Sequence, residues 1–123
     1  MKREISFRGK QLNTGEWFFG NLFDKDKSGR THISTISRGC LNIDPKTVCQ
    51  FTGMTDKNGT KIFEGDILNE PFEGREKLYQ VFWSEDYFSF RVKNGYGEYY
   101  LDEICQSHCE VIGNIHDNKE LLK

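Results

Sequence analysis

Residues 50–68 read QFTGMTDKNGTKIFEGDIL. Two apolar runs, around Phe51 and around Ile62, flank a polar segment that ends in Asn58-Gly59. That pair fits a type I′ turn, in which both residues take positive φ and the twist suits paired strands. A type I turn followed by a left-handed Gly59 fits equally well. Either turn brings the runs together as a hairpin. Glu64-Gly65-Asp66 then interrupts the second run. Gly65 permits a bend or bulge, and Asp66 can accept from nearby backbone N–H groups. A strand that swings sideways at this point is what a small barrel requires. Asn58, Gly59, Gly65 and Asp66 are therefore read as structural turn and bend positions.

The flanking segments carry the same signature. Ile5 and Phe7 alternate with Ser6, then Asn13-Thr14-Gly15 precedes EWFFGNLF, so residues 4–23 read as a hairpin. DKDKSGRTH, residues 24–32, reads as a charged loop, and HISTISRGCL as a short strand. Asp44-Pro45 looks like a cap with proline at the first position of a helical turn. LYQVFW and the alternation Phe88, Phe90, Val92 form the clearest hairpin, turned by Ser84 to Tyr87. One helical turn is expected around residues 101–104 and a last strand in CEVIGNIHDN, with Gly113 at a bulge. The whole gives about seven to eight short strands with little helix.

Composition agrees. The chain has 123 residues, enough for one domain, and 10 Phe, 5 Tyr and 2 Trp supply large buried areas. The expected fold is mainly β: a small partly open β-barrel in a single domain over 1–123, with an N-terminal β-hairpin at about 1–23 and a barrel core at about 46–116.

Formal net charge is −2, which argues against a strongly basic nucleic-acid binder. A local basic segment, MKREISFRGK, remains. No apolar run nears the roughly 20 residues that cross a bilayer, and no apolar stretch follows the charged start as in a signal peptide. The expected location is the cytoplasm of the host cell, with no membrane partner.

Chemical signatures are sparse. Cys40, Cys49, Cys105 and Cys109 lack the C-x2-C spacing of structural zinc sites. Cys105 and Cys109 with His108 between them come nearest, and His32 or His116 would have to join; reduced structural thiols are expected instead. No G-x-S-x-G, H-E-x-x-H or phosphate-loop motif is present. Glu64 and Asp66 could share a strand face as an acid pair, and Asp44, Asp56, Asp102 and Glu103 could be nominated beside them, but local turn bonding explains Asp66 better. No cofactor or metal is expected, and the balance is against an enzyme.

The aromatics carry more information. Trp17, Phe18 and Phe19 are consecutive, so at least one faces outward on a strand; Phe82-Trp83 and Tyr99-Tyr100 pose the same problem. A homo-oligomer or protein interface is the first reading, core packing the second, and nucleic acid the third. Arg8, Lys10 and Trp17, facing one another across the first hairpin, form the candidate binding surface.

REISFRGKQLNTGEWFFGNL, IDPKTVCQFTGMTDKNGTKIFEGDIL, VFWSEDYFSFRV and EVIGNIHDN in this order resemble the YopX family of phage and prophage proteins. The middle block is the most specific, and residues 24–40 match least. The resemblance implies a β fold with a barrel-like core and brings no established activity or catalytic residues. The function expected from it is an accessory protein that works by binding, with a phage or host protein as a further candidate partner. The alternatives are a nucleic-acid-binding barrel and, last, a metal-dependent enzyme.

Overall fold

A computed structural model describes residues 4–23, 27–106 and 108–122, with the side chains of residues 105 and 106 outside the description. The chain forms two compact units, Met1–Phe51 and Thr52–Lys123.

The first unit holds β1 (Phe7–Lys10), β2 (Trp17–Phe23), β3 (His32–Thr35), β4 (Gly39–Asn42) and the start of β5 (Cys49–Thr55). β1 and β2 form the N-terminal hairpin, with Lys10 opposite Trp17 and Arg8 opposite Phe19. The Gln11 N–H donates to the Glu16 carbonyl at 2.9 Å, and Gly15, at φ +70°, makes the turn without a Cβ penalty. The strand order is β4-β3-β2-β1-β5, all antiparallel.

The chain just after β1 also meets the chain just after β4. Gln11 bridges Ile43; the Leu12 N–H donates to Asn42 at 3.1 Å, and the Asp44 N–H to Lys10 at 2.9 Å. Four strands thus coil into a partly open barrel joined by one short stretch of pairing. Ile33 and Ile43 fill its inside and are wholly buried. Gly9 faces them: a Cβ there would collide with Ile43 Cγ2 and lie 3.3 Å from Ile33 Cδ1. A 3-10 turn, Pro45–Thr47, locks the seam. Asp44 Oδ1 accepts from the Lys46 N–H at 3.1 Å. The Thr47 hydroxyl donates to the Asp44 carbonyl at 2.7 Å and accepts the Lys10 N–H at 2.8 Å.

In the second unit the end of β5 runs beside β6 (Lys61–Phe63), and the Thr52 hydroxyl donates to the Ile62 carbonyl at 2.7 Å. β7 (Asp66–Asn69), β8 (Leu78–Ser84), β9 (Ser89–Asn94), β10 (Gly97–Tyr100) and β11 (Glu110–Asn114) form an antiparallel sheet ordered β10-β9-β8-β7-β11. Its register stacks Leu68, Tyr79, Val81 and Val92 on one face. α1 (Leu101–Gln106) lays Leu101 and Ile104 into the same cluster with Ile62 and Cys109. Tyr79 packs edge-on against Tyr99 with ring centres 5.6 Å apart, and burial pushes its phenol above the usual range.

The chain is mainly β, with short helical turns only, as its sequence implies. Among the described residues eleven strands stand where about seven to eight are expected, because Gly65 divides β6 from β7 and residues 32–42 fold back on themselves. Asn58 does not take positive φ, whereas Gly59 sits at +81°, so this turn is the type I form followed by a left-handed glycine. Phe88 does not belong to the buried alternation. It occupies the turn at φ +50°, 76% exposed, and the strand begins at Ser89. The expected bulge near Gly113 is present, where the register shifts between Val111 and Gly113.

Gly9→Ala is expected to destabilise the chain by about 2 kcal/mol through overpacking against Ile43. In an I43A background, where Cγ2 is gone, the same glycine change is expected to cost less. Urea midpoints of these proteins check it, and an unshifted midpoint for G9A would show that the seam has slack.

Candidate functional site

Two groups of residues invite a functional reading, and the acidic corner is the first. Gly65 has φ +87°; its N–H donates to the Val81 carbonyl and its carbonyl accepts from Ile115, both at 2.9 Å. The Asp66 carboxylate, 1% exposed, accepts the Phe63 N–H at 2.8 Å. Glu64 is half-buried. The corner is thus tied to backbone on three sides. No cluster of three or more His, Cys, Asp or Glu side chains that could hold a metal occurs among the described residues. Cys40 is exposed and Cys49 and Cys109 are buried, and Cys49 Sγ donates to the Thr47 carbonyl at 3.3 Å. The Cys105 side chain lies outside the described residues.

Asp56 shows how the turn that opens this hairpin is held, and spacing alone did not single it out. Its Oδ1 accepts the N–H groups of Asn58 and Thr60, each at 2.9 Å, closing the turn around Gly59. Its Oδ2 accepts the Val111 N–H at 2.9 Å, 55 residues along the chain. Lys57 adds a backbone bond to the Cys109 carbonyl at 3.2 Å and an ion pair with Glu110 at 3.6 Å. Burial opposes ionisation of Asp56. The Val111, Thr60 and Asn58 N–H groups and the Lys57 charge more than offset it, so its carboxyl lies below the usual value.

The second group is the aromatic and basic face of the first hairpin. Because Lys10 is opposite Trp17 and Arg8 is one pair further, both cations lie on the Trp17 side of the sheet. The Arg8 guanidinium carbon is 4.8 Å from the ring centre and Lys10 Nζ is 5.4 Å from it, both cation–π contacts. Arg8 is buried and Lys10 half-buried. The structure therefore brings together all three residues of the candidate surface.

It also adds residues that no motif marked. β3 ends at Thr35, whose hydroxyl accepts the Arg38 N–H at 2.9 Å and donates to the Gly39 carbonyl at 3.0 Å. This local turn projects Ile36 fully into solvent and sets the Arg38 guanidinium 5.3 Å from the Phe18 ring centre. Beside it lies an open cleft of about 450 Å³, lined by Trp17, Phe19, Gly20, Ser34 and Ile36 among others. Phe19 is 53% exposed and Phe23 55%. Among the described residues no carboxylate lines the cleft. The ISTIS stretch alternates like a strand, which masks the turn that ejects Ile36.

A family model described as YopX protein matches residues 6–123. No curated protein matches the chain. Among solved structures, the chain is similar to the crystal structure of protein EF1440 from Enterococcus faecalis. The identity is 24%, the TM-score 0.61, and the match covers 99% of this chain and 100% of that one. At this identity the likeness speaks for the fold alone.

Asp56→Asn replaces one accepting oxygen by an amide and strands a backbone N–H, so it is expected to cost about 2 kcal/mol at pH 7. The folded pKa lies below the unfolded one. The Asp56 contribution is therefore fully present above about pH 4 and fades as pH falls through the folded value. Denaturant titrations at several pH values should show the gap between D56N and the parent closing in acid. A gap that stays constant with pH would refute the ionised clamp.

Proposed function

The chain belongs to the YopX family, and on that premise we propose an accessory protein of phage or prophage that works by binding, in the first instance to further copies of itself. The observation that carries this reading is the open cleft beside β2, where Trp17, Phe19 and Ile36 offer apolar surface with Phe19 half exposed and Ile36 fully so. Aromatic side chains at a water-facing cleft cost free energy that a second surface recovers on covering them. Cations stacked on Trp17 and Phe18 give the cleft a polar margin, which is the make-up of a protein-binding patch. Catalysis has no comparable support, since the Asp56 carboxylate is occupied by backbone N–H groups and Asp66 holds the Gly65 corner.

Nucleic acid is the second reading, favoured by Arg8 and Lys10 both contacting the Trp17 indole. An aromatic ring with adjacent cations is the arrangement that stacks a base and meets its phosphate.

Light scattering across a concentration series tests the first reading. The parent chain is expected to exceed monomer mass, and Phe19→Ser to weaken assembly at least tenfold, since burying one phenyl group is worth about 1.5–3 kcal/mol. A parent that stays monomeric at every concentration removes the reading. DNA and RNA titrations at low and moderate salt test the second. Phosphate contacts would make log affinity fall linearly with log salt, with a shallower slope in Lys10→Ala, and absence of binding at low salt eliminates it.

A further inference from the structure

The hairpin turn between β8 and β9 displays the sequence Glu85-Asp86-Tyr87-Phe88, and all four residues are exposed. Phe88 is held at φ +50°, a left-handed conformation that glycine or asparagine adopts readily and an aromatic residue does not. Despite that strain its ring stands 76% exposed, so core packing does not explain it. The turn is well braced. The Tyr87 N–H donates to Ser84 Oγ at 3.2 Å, and the Tyr87 ring lies on the buried Arg91 guanidinium, 4.1 Å from carbon to ring centre. Tyr100 covers the same guanidinium at 4.6 Å. The result is a rigid tip bearing an aromatic knob and two carboxylates.

The first unit offers the complementary shape and charge. Its cleft joins the rings of Trp17, Phe18 and Phe19 and the Ile36 side chain to the polar groups of Ser6, Asn21, Ser34, Thr35 and Ser37, has no carboxylate among the described lining residues, and is bordered by Lys10 and Arg38, which lie on the rings of Trp17 and Phe18. We infer that the Glu85–Phe88 tip of one copy docks into the Trp17–Ile36 cleft of another, Phe88 filling the cleft and Glu85 and Asp86 meeting its cations. This assignment rests on the self-association proposed above and names the surfaces. Knob and cleft are different patches, so the contact is heterologous and each copy keeps one of each to offer. A rigid knob loses little freedom on docking, which favours a strained but ordered tip.

Phe88→Gly relieves the backbone strain and removes the knob, so its melting temperature should hold or rise while its association weakens at least tenfold. Asp86→Lys, a change at an exposed charge, should weaken association likewise and guards against poor folding of F88G. Ile36→Glu should disable the cleft. Mixing F88G with I36E is the decisive arm: one chain retains its cleft and the other its tip, so sedimentation should show a complex of one copy of each that grows no further. If F88G and D86K associate like the parent, or the mixture forms no complex, the docking is wrong while self-association stands. A parent chain that sediments as a monomer overturns both.

Discussion

The first unit depends on residues 10–12 meeting residues 42–44 over a glycine that leaves no room for a side chain. Gly9 lets β1 approach Ile33 and Ile43, and that approach allows the Asp44 N–H to reach the Lys10 carbonyl. Thr47 takes the Lys10 N–H from the other side of the same residue. Both backbone groups of Lys10 are therefore fixed, and its side chain leaves the sheet on the Trp17 face. The cation–π group is a consequence of this closure: β1 carries Arg8 and Lys10, β2 carries Trp17, and the seam holds β1 in place.

The second unit is organised by carboxylates acting on backbone. Asp56 gathers N–H groups from its own turn and from β11, and Asp66 closes the corner after β6. Asp56, which accepts three N–H groups, is favoured in its charged form. The QFTG…GDI block holds both carboxylates. It sets hairpin, corner and sheet edge within a few residues, which is also why it is the most distinctive part of the sequence.

Aromatic residues serve two purposes that burial separates. Tyr79 and Tyr99 interlock at the core cluster, whereas Phe19 and Phe88 face water. Arg91 illustrates a third arrangement, a cation sheltered between Tyr87 and Tyr100 with Glu98 only 4.0 Å from its Nε. Both rings offer the guanidinium cation–π contact there. The outcome is a stiff turn that presents its neighbours outward.

Much of this was legible in the residues alone. Strong alternation and glycine-bearing turns gave the β class, the first hairpin and the sharp corner, because pleat and positive φ are local demands. The pairing of Lys10 with Trp17 depends on a turn of four residues, 12–15, closed by Gln11 and Glu16; the three-residue turn that Asn13-Thr14-Gly15 suggests would set Lys10 opposite Phe18 instead. Other features are non-local. That the Asp56 carboxylate reaches Val111, that residue 11 bridges residue 43, and that the Thr35 turn throws Ile36 out beside Phe19 depend on which strands become neighbours. Phe88 shows the limit most plainly: its alternation with Phe90 and Val92 marks a buried face, yet the turn closing at Ser84 takes one residue more and leaves it outside. Sequence determined the local geometry of each element, and tertiary pairing decided which side chains remained at the surface, because exposure depends on what packs opposite.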